Sequence, residues 1–338
     1  MKLLRGSKSL DPVPVLQFLP ERLEGMYVDA SEGEDRESQR NGESLLHREW
    51  AVSRASRSTR YAATFALVIV MAVSSPGAAA ADAGELLRKN DIAALEATLG
   101  ELQRQFEQGS VSEIDLRNAY RPFYEPSPEA RTNLFRWAKE KPASYAARLA
   151  EGIYYKKQGQ KARGGRFISE TPRGAIAKME EYYAKAHVDL IASKKLTAKP
   201  YLSVFHLLDI AAQEGDIDES LALLKQANRL LPNNALARDR YFHSLMPRWG
   251  GSYPEAKAFI ESAKAEHLPE SVIMQLEAIL EDDMGEALAR DGNFAAGRPH
   301  FVAALSLSKK IGGSFRDDFL SFSTEYLCPR EPAMEYCR

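Results

Sequence analysis

An apolar stripe with helical spacing runs on either side of Gly215 within residues 201 to 234, and Pro232 closes the segment before Asn233 and Asn234. Its second half carries a small, a large and a small residue in turn, Ser220, Leu224 and Ala227. The order recurs. Tyr241 to Met246 ends one helix, Gly250 and Gly251 make a turn, and Ala256, Ile260 and Ala263 repeat the three positions. A third copy runs from Met284, Gly285 and Leu288 through a turn at Gly292 to Gly297, Phe301 and Ala304. One such helix pair cannot cover its own apolar face, so three in succession predict a stack over residues 201–312.

The preceding region, residues 81–200, reads as further helix pairs. Leu86, Leu87, Ile92, Leu95, Leu99 and Leu102 form one stripe, with Asn90 and Asp91 as an internal cap. Ser112 opens a short helix that Pro122 stops, and Ser127 with Pro128 opens one that carries Leu134, Phe135 and Trp137. Ser144 to Gln158 places Leu149, Ile153 and Tyr154 on one side, and Thr171 with Pro172 announces a long helix from Arg173 to about Ser193. Residues 313–338 are left as a C-terminal tail.

The first 80 residues follow a different pattern. Tyr61 to Val73 is uncharged and apolar, with Arg54, Arg57 and Arg60 before it and Ser74, Pro76, Gly77 and a run of alanines after it. A positive flank, a short apolar core and a small-residue exit describe a signal peptide over residues 52–80, cleaved after Ala78 or Ala80. Residues 1–51, with Pro12, Pro14, Pro20 and an acidic serine-rich tract, then form a leader outside the mature protein, explained if translation starts at Val52. The alternative is a membrane anchor at Tyr61 to Val73, but the run falls short of the roughly 20 apolar residues that span a bilayer. The expected location is periplasmic or secreted.

Composition narrows the rest. A formal net charge of -2 gives no electrostatic case for nucleic acid or for an anionic membrane surface. Leucine, alanine, glutamate and lysine are plentiful and alternating Val and Thr is almost absent, which favours an all-α chain. The only cysteines, Cys328 and Cys337, bracket a proline-containing tail, and an oxidising compartment would join them in one disulfide.

The turn glycines, the small-large-small stripe and the closing proline together resemble the tetratricopeptide repeat, an α-solenoid unit. A second resemblance rests on Trp137, Pro142, Ser144, Gly152 and Tyr155, then Ala162-Arg163-Gly164, and later Pro247-Arg248-Trp249-Gly250-Gly251-Ser252. These residues are similar to the pattern of a bacterial tetratricopeptide-like family catalogued only as a domain of unknown function. The likeness covers about half the chain, from near residue 100 to near 265. Members often carry a tryptophan before the Ala-Arg-Gly element, where this chain has Gln160 and Lys161. The resemblance implies a helical-repeat fold and no catalytic residue.

Candidate binding residues come from two turns. Arg163, Gly164 and Gly165 could turn backbone N–H groups outward toward an anion, with Tyr155 nearby, but the same glycines are needed to reverse the chain. In the second turn both glycines are expected to supply positive φ and Ser252 to cap the next helix. Trp249 is expected to pack between helices and Arg248 to stack or pair, with an exposed Arg248–Trp249 anchor as the binding alternative. The histidines His47, His187, His206, His243, His267 and His300 show no metal-ligand spacing, although His206 and His243 lie in corresponding helices. Glu281, Asp282 and Asp283 read as a solvated helix face. No nucleophile elbow, phosphate loop or dinucleotide fingerprint appears, so no catalytic residue, metal or cofactor is assigned. The expected role is docking a protein or peptide along an inner surface. The alternative is a cell-envelope enzyme, or an enzyme's accessory domain, with a pocket between helices.

Overall fold

The computed structural model describes residues 83 to 164, 171 to 312 and 320 to 337. The leader, the signal segment, Gly165 and the start of the tail lie outside the described residues. Among the described residues all regular structure is helical. A helical stretch over 83–88 precedes α1 (Ile92–Glu107), α2 (Glu113–Ala119), α3 (Pro128–Glu140), α4 (Tyr145–Arg163) and α5 (Arg173–Ser193). Then come α6 (Tyr201–Glu214), α7 (Ile217–Leu230), α8 (Leu236–Ser244), α9 (Tyr253–Ala265), α10 (Glu270–Arg290) and α11 (Phe294–Ile311). A π-helical turn (Ser323–Leu327) and a short 3-10 turn (Glu335–Cys337) complete the chain.

Local chemistry sets the starts. Asp91, Ser112, Ser127, Ser144, Asp216, Ser252 and Asn293 each cap a helix by accepting a backbone N–H with the side chain. At Gly215, Gly250 and Gly292 the chain takes positive φ, which a side chain would oppose. Gly251 differs from expectation. Its φ is ordinary, and it must be glycine because the Leu245 carbonyl occupies the space a Cβ would need.

The repeat positions point inward. Ser220, Leu224 and Ala227, then Ala256, Ile260 and Ala263, then Gly297, Phe301 and Ala304 are all buried. Helices α4 and α5, α6 and α7, and α10 and α11 pack as hairpins, and α4, α6 and α8 also contact one another in sequence. Gly297 lets α11 approach α10 closely, since its missing Cβ faces the carbonyl of Gly285 at 2.6 Å.

The packing departs from a stack of nearest neighbours. α2 reaches across to α6 and α8: Glu113 accepts from the Tyr201 hydroxyl and, at 2.6 Å, from the N–H of Ala235 at the start of α8. Arg117 sits 5.8 Å over the Phe205 ring. Tyr201 to Ala211 are consequently buried without interruption, so α6 has no open inner face. The apolar core also changes at α8 and not near residue 200. One cluster runs from Ala83 to Tyr241 and a second from Phe242 to Leu327, with Phe259 touching both Tyr241 and Phe242.

The acidic triplet is not a solvated face. Asp282 is buried and accepts from Phe322 N, Ser323 N and the Ser323 hydroxyl, while Asp283 pairs with Arg248. Both carboxylates hold the C-terminal segment and the Pro247–Trp249 turn against α10. Cys328 and Cys337 form a disulfide, with Cα atoms 5.3 Å apart.

Candidate functional site

A closed cluster of charge joins α4, α6 and α8. Asp209 of α6 accepts from Lys156 Nζ and Gln160 Nε2 (3.3 Å) of α4 and from Gln213 Nε2 (3.0 Å) of its own helix. Arg240 Nε of α8 lies 3.2 Å from the same carboxylate. Lys156 Nζ also lies 3.2 Å from His206 Nδ1, within hydrogen-bonding distance. Tyr183 of α5 extends the chain by donating to Gln213 Oε1. Burial acts most strongly on Asp209 and raises it, but Arg240 and Lys156 outweigh burial and hold the carboxyl far below its usual range. Burial lowers Lys156, and burial with the Lys156 charge lowers His206 well below an ordinary histidine. Lys156, His206 and Asp209 are fully enclosed, so the cluster binds three helices together and presents no side chain to a ligand.

The candidate residues of the sequence are separated. Arg163, at the end of α4, is buried and donates to the Gly164 carbonyl at 2.8 Å, and Gly164 ends the helix with φ 74°. Trp249 is buried. Arg248 lies 4.3 Å over the Phe322 ring and pairs with Asp283 and with Glu286 (3.2 Å), so both residues fasten the turn to α10. Tyr155 is half-buried between Phe135 and Tyr182, 5.7 and 6.4 Å away, with Lys185 above the rings. His206 and His243 have different partners, His243 bonding the Asp239 carbonyl at 2.9 Å.

Beside Tyr155, two carboxyls are forced together. Gly152 of α4 faces Leu190 of α5 so closely that a Cβ would fall 2.8 Å from Leu190 Cγ. The close approach sets Glu151 against Asp189, with Arg148 3.5 Å from the first and 2.8 Å from the second. Burial and then the Asp189 charge push Glu151 up to about 7, and burial also raises Asp189. Burial and the neighbouring charge thus favour a proton on this pair.

Two open surfaces stand out among the described residues. On α5, Val188 is 68% exposed and Ile191 46%, and Ile217, which begins α7, is 59% exposed. His187 Nε2, next to Val188 on α5, lies 3.7 Å from Glu214 at the end of α6. The second is a cleft of about 260 Å3 between α9, α10 and α11. Its floor is Ile260, Leu280, Ala303 and Leu307, and its rim is charged. Among the described residues no group of three His, Cys, Asp or Glu side chains is placed to share a metal ion.

No family model, no curated protein and no solved structure matches the chain. Among the described residues the fold defines an all-helical protein of packed helix pairs, with a closed ionic junction between α4, α6 and α8. Sequence reading missed Lys156, Asp209 and Arg240 and the Glu151–Asp189 pair. The available signal was one aspartate inside the apolar run Leu207-Leu208-Asp209-Ile210, a position that calls for a buried cation.

Proposed function

We propose that this chain is an exported helical-repeat scaffold, related to the tetratricopeptide-like family it resembles, that docks another protein. The observation that carries the reading is the exposure of Val188 and Ile191, three residues apart on α5, and of Ile217 at the start of α7. A folded chain gains nothing by leaving β-branched side chains together in water, and contiguous apolar patches mark interaction sites. The inner face first expected to bind is covered at α6, so the docking face is the outer one. Three inward-facing small-large-small registers support the solenoid description. The Tyr61–Val73 run and the disulfide support export.

Purification of the full chain from its native envelope tests this. The wild type is expected to bring a stoichiometric partner that the Val188→Glu, Ile217→Glu double variant loses while its circular dichroism is unchanged. A wild type that purifies alone, or a variant that keeps the partner, overturns the reading.

One observation favours a second reading, an envelope hydrolase. Glu151, held near neutrality beside Asp189 and Tyr155, has the proton affinity of a general acid. Loss of a hydrolytic activity in Glu151→Gln at unchanged stability would support it.

A further inference from the structure

Residues 320–337 lie as a strap over α10 and α11. Leu320 and Leu327 are fully buried in the second core, Tyr326 stacks 5.9 Å from the Phe301 ring, and Phe322 lies under Arg248 at 4.3 Å. The polar ties of the strap fall into two classes. At its outer end Arg298 grips Glu331 at 2.6 and 2.7 Å and Lys309 pairs with Glu335, but both pairs stand at the surface. Pairs of that kind add little. At its inner end one enclosed carboxyl, Asp282 of α10, accepts from Phe322 N at 3.2 Å, from Ser323 N at 2.6 Å and from the Ser323 hydroxyl. Every hydrogen bond of this carboxyl among the described residues therefore goes to the strap.

What sets Asp282 apart is the lack of a cation. Asp209 has Lys156 and Arg240, and Asp283 has Arg248, whereas Asp282 has no ion pair among the described residues. The charged groups on the surrounding elements are engaged elsewhere: Arg248 of the Pro247–Trp249 turn with Asp283 and Glu286, His300 of α11 with Glu281, and Arg298 with Glu331. Tyr253 of α9 donates to Asp283 at 3.0 Å, and Glu325 of the strap is exposed. Asp283 itself adds a like charge one residue away. A carboxyl enclosed without a cation resists ionisation, and burial pushes this one up to about 7. Lifting the strap lets water reach the group and restores its ordinary value of 3.8. Between those values the closed strap holds a proton that the lifted one releases, so closure weakens as pH rises from about 4 to 7 and is level above that.

We propose that the C-terminal strap is a pH-set latch, held closed in acid by the neutral Asp282 carboxyl and loosened toward neutral pH, which uncovers the apolar side of α10 and α11 around Phe301. The Cys328–Cys337 bridge keeps the end of the strap together as it moves. The latch uses none of the exposed residues on α5 and α7, so it stands or falls separately from the docking reading.

Hydrogen exchange of the full chain at pH 5 and pH 7.5, each corrected for the intrinsic exchange rate, tests the latch. Protection across Ser323–Leu327 is expected to fall by about tenfold or more between the two, while α4 to α6 stay protected. Asp282→Asn keeps an acceptor oxygen and cannot ionise, so its strap should be equally protected at both pH values. Ser323→Ala removes a donor that supports the ionised form and should lose more protection at pH 7.5 than at pH 5. His300→Gln, whose ring nitrogen bonds Glu281, should respond to pH as the wild type does. Equal protection of the wild type at both pH values, or a fall that persists in Asp282→Asn, overturns the proposal. A fall shared by all of α10 and α11 also overturns it, because the whole second core would then be opening.

Discussion

Arg240 Nε lies 3.2 Å from Asp209 Oδ1, and neither side chain is open to solvent. With Lys156 on the other carboxylate oxygen, one anion on α6 holds cations from α4 and α8. Asp209→Leu is expected to cost about 3 to 5 kcal/mol, because it strands two buried positive charges. Urea unfolding measures this, and a loss below about 1 kcal/mol would mean water reaches the cluster.

Asp282 gives a pH dependence with a definite sign. Burial pushes its carboxyl up to about 7 from 3.8, even though Ser323 and Phe322 donate to it. Between these values the folded state keeps a proton that the unfolded chain has released, so this residue's contribution to stability falls as pH rises from about 4 to 7. Above that it is level. Unfolding free energies of the wild type and Asp282→Asn, compared across the window, should shift against the wild type with rising pH. A constant difference would show that Asp282 does not titrate there.

The disulfide closes a short loop, Cys328 to Cys337, at the end of the second core. Chain-entropy arguments give about 2 to 3 kcal/mol for a loop of this length. Cys328→Ser with Cys337→Ser should therefore speed hydrogen exchange in Ser323–Leu327 while leaving α4 to α6 protected. Faster exchange throughout would mean the two cores unfold as one unit.

Leu224 is buried between helices at the large position of the first repeat. Leu224→Ala should cost about 2 to 5 kcal/mol by opening a cavity. Thermal unfolding is the measurement, and an unchanged midpoint would place Leu224 at the surface.

Helix starts were legible because caps are local: Ser112, Ser127, Ser144 and Ser252 act within three residues of themselves. The three repeat registers were legible because helical spacing alone assigns a buried face. Arg248 and Trp249 were placed correctly in outline, as a stacked or paired arginine and a packed indole. The Glu281-Asp282-Asp283 triplet was misread because short charge runs usually face water. Asp282 is instead covered by Phe322 and Ser323, about 40 residues later, and Asp283 is paired with Arg248, while Glu281 alone stays partly open beside His300.

By itself the sequence determined an all-helical chain, the places where helices begin and turn, and which face of each repeat is buried, since these follow from capping, glycine φ and a 3.6-residue period. Only the tertiary structure decided that α2 covers α6, that Lys156, Asp209 and Arg240 meet, and that Asp282 is enclosed by Phe322 and Ser323. Each of these depends on side chains distant in sequence becoming neighbours. Periodicity assigns a residue to a face, but it carries no information about which distant helix that face will meet.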